Sequence, residues 1–186
     1  FHNMIDTDKI RKGAEKPGGF DDDFAGVRLL TVGRLTAQKA YEIAVDAMKL
    51  LKERGRNVRW YILGEGEERK PLEKKIKEYG LEQDFLLLGA KENPYPYYKQ
   101  CDIYVHATRF EGKALRFRRH RRLVVRSLLR TAREIGNRSR MVWMEKCVRS
   151  VPKESATRCV NCWMIKKLVQ LTERWHKRKN YPKRYS

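Results

Sequence analysis

The sequence predicts an α/β fold: an incomplete Rossmann-like parallel sheet followed by a basic tail of irregular or helical character. Short apolar runs alternate with stretches of helical spacing across residues 26–114, the pattern of parallel strands joined by crossover helices. Glycines follow most of those runs within a few residues, which places flexible loops at one end of the sheet. The third observation is a break in charge. Residues 1–114 carry 21 basic against 19 acidic side chains, a net +2, whereas residues 115–186 carry 22 against 4, a net +18.

Taken in order, residues 1–25 read as a linker, because Lys16-Pro17-Gly18-Gly19 and Asp21-Asp22-Asp23 are polar and turn-rich. Arg28 to Val32 is a short buried strand stopped by Gly33. Ala40 to Arg54 is helical, with Tyr41, Ala44, Met48 and Leu51 on one face and Gly55 as its stop. Trp60 to Leu63 is the second strand, ended by Gly64-Glu65-Gly66. Glu67 to Tyr79 forms a helix with Leu72, Ile76 and Tyr79 aligned and Gly80 behind it. Phe85 to Leu88 is the third strand, and Asn93-Pro94-Tyr95 opens a short helix before the fourth, Asp102 to His106. The stretch Thr108-Arg109-Phe110-Glu111-Gly112-Lys113-Ala114 then forms a strand-to-helix turn.

A chain of 186 residues is long enough to bury one real core. Its four cysteines (Cys101, Cys147, Cys159, Cys162) are too few for a disulfide framework at this size. No apolar run approaches the ~20 residues a membrane helix needs, and no signal peptide opens the chain. It begins at Phe1, which predicts a piece of a longer protein, and a cytosolic setting is expected.

The four strand-end loops, Gly33-Arg34, Gly64-Glu65-Gly66, Gly89-Ala90-Lys91 and Glu111-Gly112, should line one crevice. Arg34 follows a strand directly, and Lys39 lies five residues on around the turn. Both cations can therefore converge on one diphosphate, Arg34 with a forked donor. Glu111, with free amides at a helix start, suits a sugar hydroxyl beside a phosphate. There is no Walker A pattern, and no Cys/His cluster in residues 1–114 has metal-ligand spacing. His106 reads as a satisfied strand-end residue rather than a catalytic base.

Val32-Gly33-Arg34-Leu35 with Gln38-Lys39, Gly64-Glu65-Gly66, Gly89, Asn93-Pro94-Tyr95, Asp102-Ile103-Tyr104-Val105 and Arg109-Phe110-Glu111-Gly112 occur in that order. As a set they resemble the C-terminal, donor-binding domain of retaining GT-B glycosyltransferases of the GT4, or group 1, class. Phe1-His2-Asn3-Met4-Ile5-Asp6 is similar to the linker between that family's two domains.

The resemblance covers residues 1–114 and implies a division into linker remnant (1–25), partial nucleotide-sugar-binding domain (26–114) and aberrant tail (115–186). It implies that Arg34 and Lys39 hold the diphosphate of a nucleotide-diphospho-sugar, UDP-linked in the commonest case. Gly33, Gly64, Gly66, Ala90 and Lys91 would border the nucleoside and phosphates, and Glu111, Gly112 and Lys113 would meet the sugar, with Glu111 in the catalytic place. No metal or other cofactor is expected, because two cations stabilise the leaving diphosphate. The acceptor would be a saccharide or a lipid-linked sugar, bound mainly by an N-terminal domain. The setting it implies is cytoplasmic, with peripheral attachment at the inner membrane face as a variant. Ala40 departs from the glycine usual after this lysine.

The family expects a second glutamate eight positions after the first, to hold the ribose hydroxyls, and this chain has Arg119 there. The lost βα units are replaced by Arg116, Arg118, Arg119, Arg121 and Arg122. A basic nucleic-acid-binding tail is the alternative from a different class. A zinc knuckle at Cys159-Val160-Asn161-Cys162 lacks a second ligand pair.

The genetic code offers a third reading, one base missing beside Leu115. Shifted codons for residues 116–138 permit A-I-Q-E-A-Q-T-L-G-C-A-V-V-A-S-D-C-S-G-N-R-E-Q, which restores a glutamate at position 119 and a following strand. Met141-Val142-Trp143-Met144-Glu145 is the sharper test, since Met and Trp have single codons. Its shifted reading must be D/N/H/Y, then G, then V/L/M, then D, then G, and the family's D-G-V-D-G fits. The tail therefore reads as frameshifted, its arginines and CxxC carry no selected function, and no tail segment should pack well on the sheet.

Overall fold

The computed structural model describes residues 7–106, 140–143 and 168–174. Helix α1 (Thr7–Glu15) precedes β1 (Val27–Val32), a 3-10 turn (Ala37–Lys39) and α2 (Tyr41–Glu53). Then follow β2 (Val58–Leu63), α3 (Arg69–Glu78), β3 (Phe85–Leu87), α4 (Tyr95–Gln100), β4 (Ile103–His106) and β5 (Arg140–Trp143). Residues 168–174 are helical. The strands form one sheet in the order β3-β2-β1-β4-β5, and every pairing is parallel.

Strand alternation sorts the core into two layers. Val27, Leu29, Trp60, Ile62, Phe85, Ile103 and Val105 join Ala44, Met48 and Leu51 of α2 and Leu72 and Ile76 of α3 in the larger one. On the other face Leu30, Tyr61, Leu63 and Tyr104 pack with Tyr97, Tyr98 and Cys101. Trp60, Tyr41, Tyr61, Tyr104 and Phe85 are all essentially fully buried. Burial of such aromatic side chains, at about 1.5–3 kcal/mol each, dominates the stability.

Two regions differ from the sequence expectation. Residues 1–25 read as a linker, yet Thr7–Glu15 forms a helix that buries Ile10 and Ala14 and is tied to the start of α4 by Asn93 Nδ2 donating to Gly13 O at 2.8 Å. The Lys16–Asp23 turn signals are genuine but begin after that helix. The expectation that the tail offers the sheet no packed partner is corrected at two places. Residues 140–143 pair with β4 from Ile103↔Arg140 to His106↔Trp143, because backbone hydrogen bonds on an open strand edge accept any extended segment. In 168–174, Leu168, Leu171 and Thr172 share one helical face and are buried, and Arg56 pairs with Glu173 at 2.6 Å. Leu168 and Leu171 join the larger core layer, to which the buried Ile103 and Val105 of β4 belong.

Between α1 and β1 the chain is fastened across the second face. Asp22 accepts from Arg28 Nη2 at 2.8 Å, Arg59 Nη1 at 3.0 Å and the Tyr61 hydroxyl at 2.5 Å. The Phe20 ring lies tilted against that of Tyr61, their centroids 4.2 Å apart. Burial works to raise the Asp22 carboxyl, but the hydrogen bonds from Arg28, Tyr61 and Arg59 outweigh it and hold it at about 2. Burial, then Asp22, pushes the Tyr61 hydroxyl up to about 12. A carboxyl depressed in the folded state stabilises fully above its unfolded value near 4 and loses that contribution as pH falls toward 2. Asp22→Asn is therefore expected to lower stability by about 1–2 kcal/mol at pH 7 in urea unfolding. The difference from wild type should shrink steadily between pH 4 and pH 2, and a pH-independent difference would refute the linkage.

Candidate functional site

Because all pairings are parallel, Gly33-Arg34, Gly64-Glu65-Gly66, Gly89-Ala90-Lys91 and the end of β4 gather on one edge. The strand order reverses between β1 and β4, and a crevice at that switch point is where open α/β sheets take ligands. The ladders show how it opens. β1 pairs with β2 as far as Val32↔Leu63 but with β4 only as far as Leu30↔Tyr104. Beyond that point Thr31 Oγ1 donates to Val105 O at 2.8 Å and accepts from Trp60 Nε1 at 2.9 Å. This buried relay holds the two strand ends while they part.

Backbone contacts too close for any side chain build the rim. A Cβ on Gly64 would lie 1.9 Å from Gly33 O, and one on Gly66 would lie 2.2 Å from Leu35 O. Gly64 also has φ +155, so glycine is demanded there both by space and by conformation. The loops are stitched by Gly33 N–H to Leu63 O (2.9 Å), Leu35 N–H to Glu65 O (2.9 Å) and Gly64 N–H to Gly89 O (2.9 Å). Leu35, fully buried, anchors the turn that carries Arg34.

Arg34 is exposed at the mouth of this turn. Lys39 reaches back over it, since a Cβ built on Gly33 would meet Lys39 Cε at 3.6 Å. The structure thus brings the Lys39 stem beside Gly33, the residue before Arg34. Ala90 and Lys91 are exposed on the neighbouring loop. Glu111, Gly112 and Lys113, together with Arg119, lie outside the described residues, as does the Cys159–Cys162 pair. His106 is the last residue of β4. Among the described residues, no group of three His, Cys, Asp or Glu could hold a metal ion, and no helix is long and apolar enough to cross a membrane.

Sequence reasoning missed the Thr31–Trp60 relay and the Tyr41 hydroxyl. Tyr41 read as an apolar helix residue, yet its hydroxyl donates to Gly33 O at 3.0 Å from a position only 1% exposed. Burial, and behind it Tyr104, raises that hydroxyl well above its ordinary value, so it stays a neutral donor under the loop.

Ala40 has φ 51 and ψ 39 and is the one non-glycine residue with positive φ among the described residues. The left-handed conformation costs an alanine roughly 1–2 kcal/mol, partly offset by the burial of its methyl group. Ala40→Gly is expected to raise stability by up to about 1 kcal/mol, read as a higher urea midpoint at unchanged slope. A lower midpoint would mean that methyl burial outweighs the strain.

A parallel sheet whose glycine loops gather at a topological switch point defines a Rossmann-like α/β domain. Residues 25–116 match the family model of the glycosyl transferases group 1, and over this stretch the chain belongs to that family. A Campylobacter jejuni protein, N-acetylgalactosamine-N,N'-diacetylbacillosaminyl-diphospho-undecaprenol 4-alpha-N-acetylgalactosaminyltransferase, is 36% identical over 112 residues, 60% of this chain and 29% of its own length. The amylovoran biosynthesis glycosyltransferase AmsD of Erwinia amylovora is 36% identical over 95 residues, 50% of this chain and 26% of its own. The chain therefore spans under a third of the length of the curated relatives it matches. Among solved structures, the C-terminal domain of the glycosyl transferase group 1 family protein LpcC from Francisella tularensis superposes with a TM-score of 0.51. The match covers 91% of both chains at 18% identity, which shows the C-terminal GT-B fold alone.

Proposed function

We propose that residues 26–114 are the donor-binding half of a retaining glycosyltransferase that uses a nucleotide-diphospho-sugar, UDP-linked, and passes the sugar to a saccharide or lipid-linked acceptor. The observation that carries this reading is the Lys39 stem lying beside Gly33, the residue before the exposed Arg34, at the point where β1 and β4 part. Two cations at that point can take the charge that develops on a leaving diphosphate, the part a metal plays elsewhere. The glycine rims let the backbone approach a flat base and a pyrophosphate without side-chain interference. Glu111, with Gly112 and Lys113, is assigned to the sugar hydroxyls.

In this reading residues 1–25, the helix Thr7–Glu15 included, are an interdomain linker. Residues 115–186 are out of frame, and the chain as it stands does not turn over. The acceptor belongs to an N-terminal domain. The enzyme works in the cytoplasm or at the inner membrane face.

Calorimetric titration with UDP, and separately with random-sequence RNA at several salt concentrations, tests the proposal. Saturable UDP binding that tolerates salt supports it. RNA binding that falls steeply with salt, without UDP binding, would favour the runner-up, a nucleic-acid-binding protein working through the +18 of the tail.

A further inference from the structure

Arg69 begins α3 and reaches three separate pieces of the rim. Its Nε donates to Glu73 Oε1 of the same helix at 2.8 Å. Its Nη1 donates to Glu65 Oε1, in the loop after β2, at 2.5 Å. Its Nη2 points to the carbonyl of Leu87, the last residue of β3, at 3.5 Å. The Glu65 carboxylate in turn lies against Gly89, where an added Cβ would stand 3.0 Å from Glu65 Oε1. Gly89 has φ +77, and its carbonyl accepts from Gly64 N–H at 2.9 Å.

We propose that Arg69 is a positioning residue that sets the spacing between the Gly64–Gly66 loop and the Gly89–Lys91 loop, and thereby the width of the slot between them. An ordinary i,i+4 ion pair ties a helix only to itself and stabilises it little. Here the planar guanidinium, with donors on three sides, spans a loop, a helix and a strand end at once, which lysine cannot do. Arg69 also pairs with the charge of Glu65, a carboxylate that would otherwise stand unopposed where a nucleotide diphosphate is to bind. The ligand half of the inference rests on the donor-site reading; the mechanical half rests on the contacts alone.

Two readouts on the 186-residue chain separate these halves. In Arg69→Met, amide hydrogen exchange at Gly64 should accelerate at least ~10-fold, while Gly33 N–H, bonded to Leu63 O, keeps its rate. Glu65→Gln should reproduce the effect, and Arg69→Lys should fall between Arg69→Met and wild type. Glu73→Gln, which touches only the helix side of the clamp, should leave Gly64 unchanged. The Kd for UDP should rise about 5–20-fold in Arg69→Met without a matching fall in unfolding midpoint. Unchanged exchange at Gly64, or equal acceleration at Gly33 and Gly64, would overturn the positioning role. Acceleration confined to Gly64 in a chain whose wild type binds no UDP would support the clamp and refute the donor-site reading.

Discussion

Arg34→Ala should weaken UDP binding by roughly 10–100-fold while moving the thermal midpoint by less than about 2 °C. The asymmetry follows from where the side chain stands. Its guanidinium is exposed, so folding gains little from it. A charge-assisted bond to phosphate contributes about 1.5–3 kcal/mol, and each 1.4 kcal/mol is tenfold in affinity. The backbone that carries Arg34 is held independently, through Leu35 N–H to Glu65 O and Glu68 N–H to Leu35 O, and does not depend on the side chain. Lys39→Ala should lose affinity too, less sharply, because an ammonium is a point charge without the fork. Calorimetric titration beside a thermal melt decides it. An Arg34→Ala protein with wild-type affinity for UDP would remove Arg34 from the diphosphate site.

The sheet was legible because its signals are local. Apolar runs, helical spacing and the stops at Gly55 and Gly80, at φ +66 and +64, mark element ends without reference to anything distant. The rim glycines were legible as stops after a strand, but not the contact by which Gly64 and Gly66 touch the neighbouring loop's backbone, a demand only glycine meets. What stayed hidden is non-local or backbone-borne. Nothing in Trp60 or Thr31 taken singly announces a relay across β2, β1 and β4. Asp22 reads as one of three aspartates in a polar turn, and its two arginine partners become neighbours only when Arg28 and Arg59 fall into register. The pairing of 140–143 was invisible because a strand edge recruits by backbone, not by side chain.

Restoring one base beside codon 115, together with an upstream acceptor domain, should turn a chain without measurable transfer into one that transfers sugar, and should tighten binding of the UDP-sugar at least ~10-fold. Three losses underlie that expectation. Position 119 holds an arginine where the resemblance implies a carboxylate, and a guanidinium has no acceptor to take the hydrogen bonds that vicinal hydroxyls would donate to a carboxylate. In the out-of-frame reading the segment after Leu115 no longer carries the residues that the resemblance expects to follow Glu111, although residues 140–143 pair with β4. In the proposed reading the acceptor is presented by an N-terminal domain, without which a bound donor has nothing oriented to attack it. Arg119→Glu alone repairs only the first loss and should leave transfer undetectable. Single-turnover assays with radiolabelled UDP-sugar on the original chain, the point variant and the repaired protein separate the cases. Sugar transfer by the original 186-residue chain would show that the tail is a working part of the enzyme and that the frameshift reading is wrong.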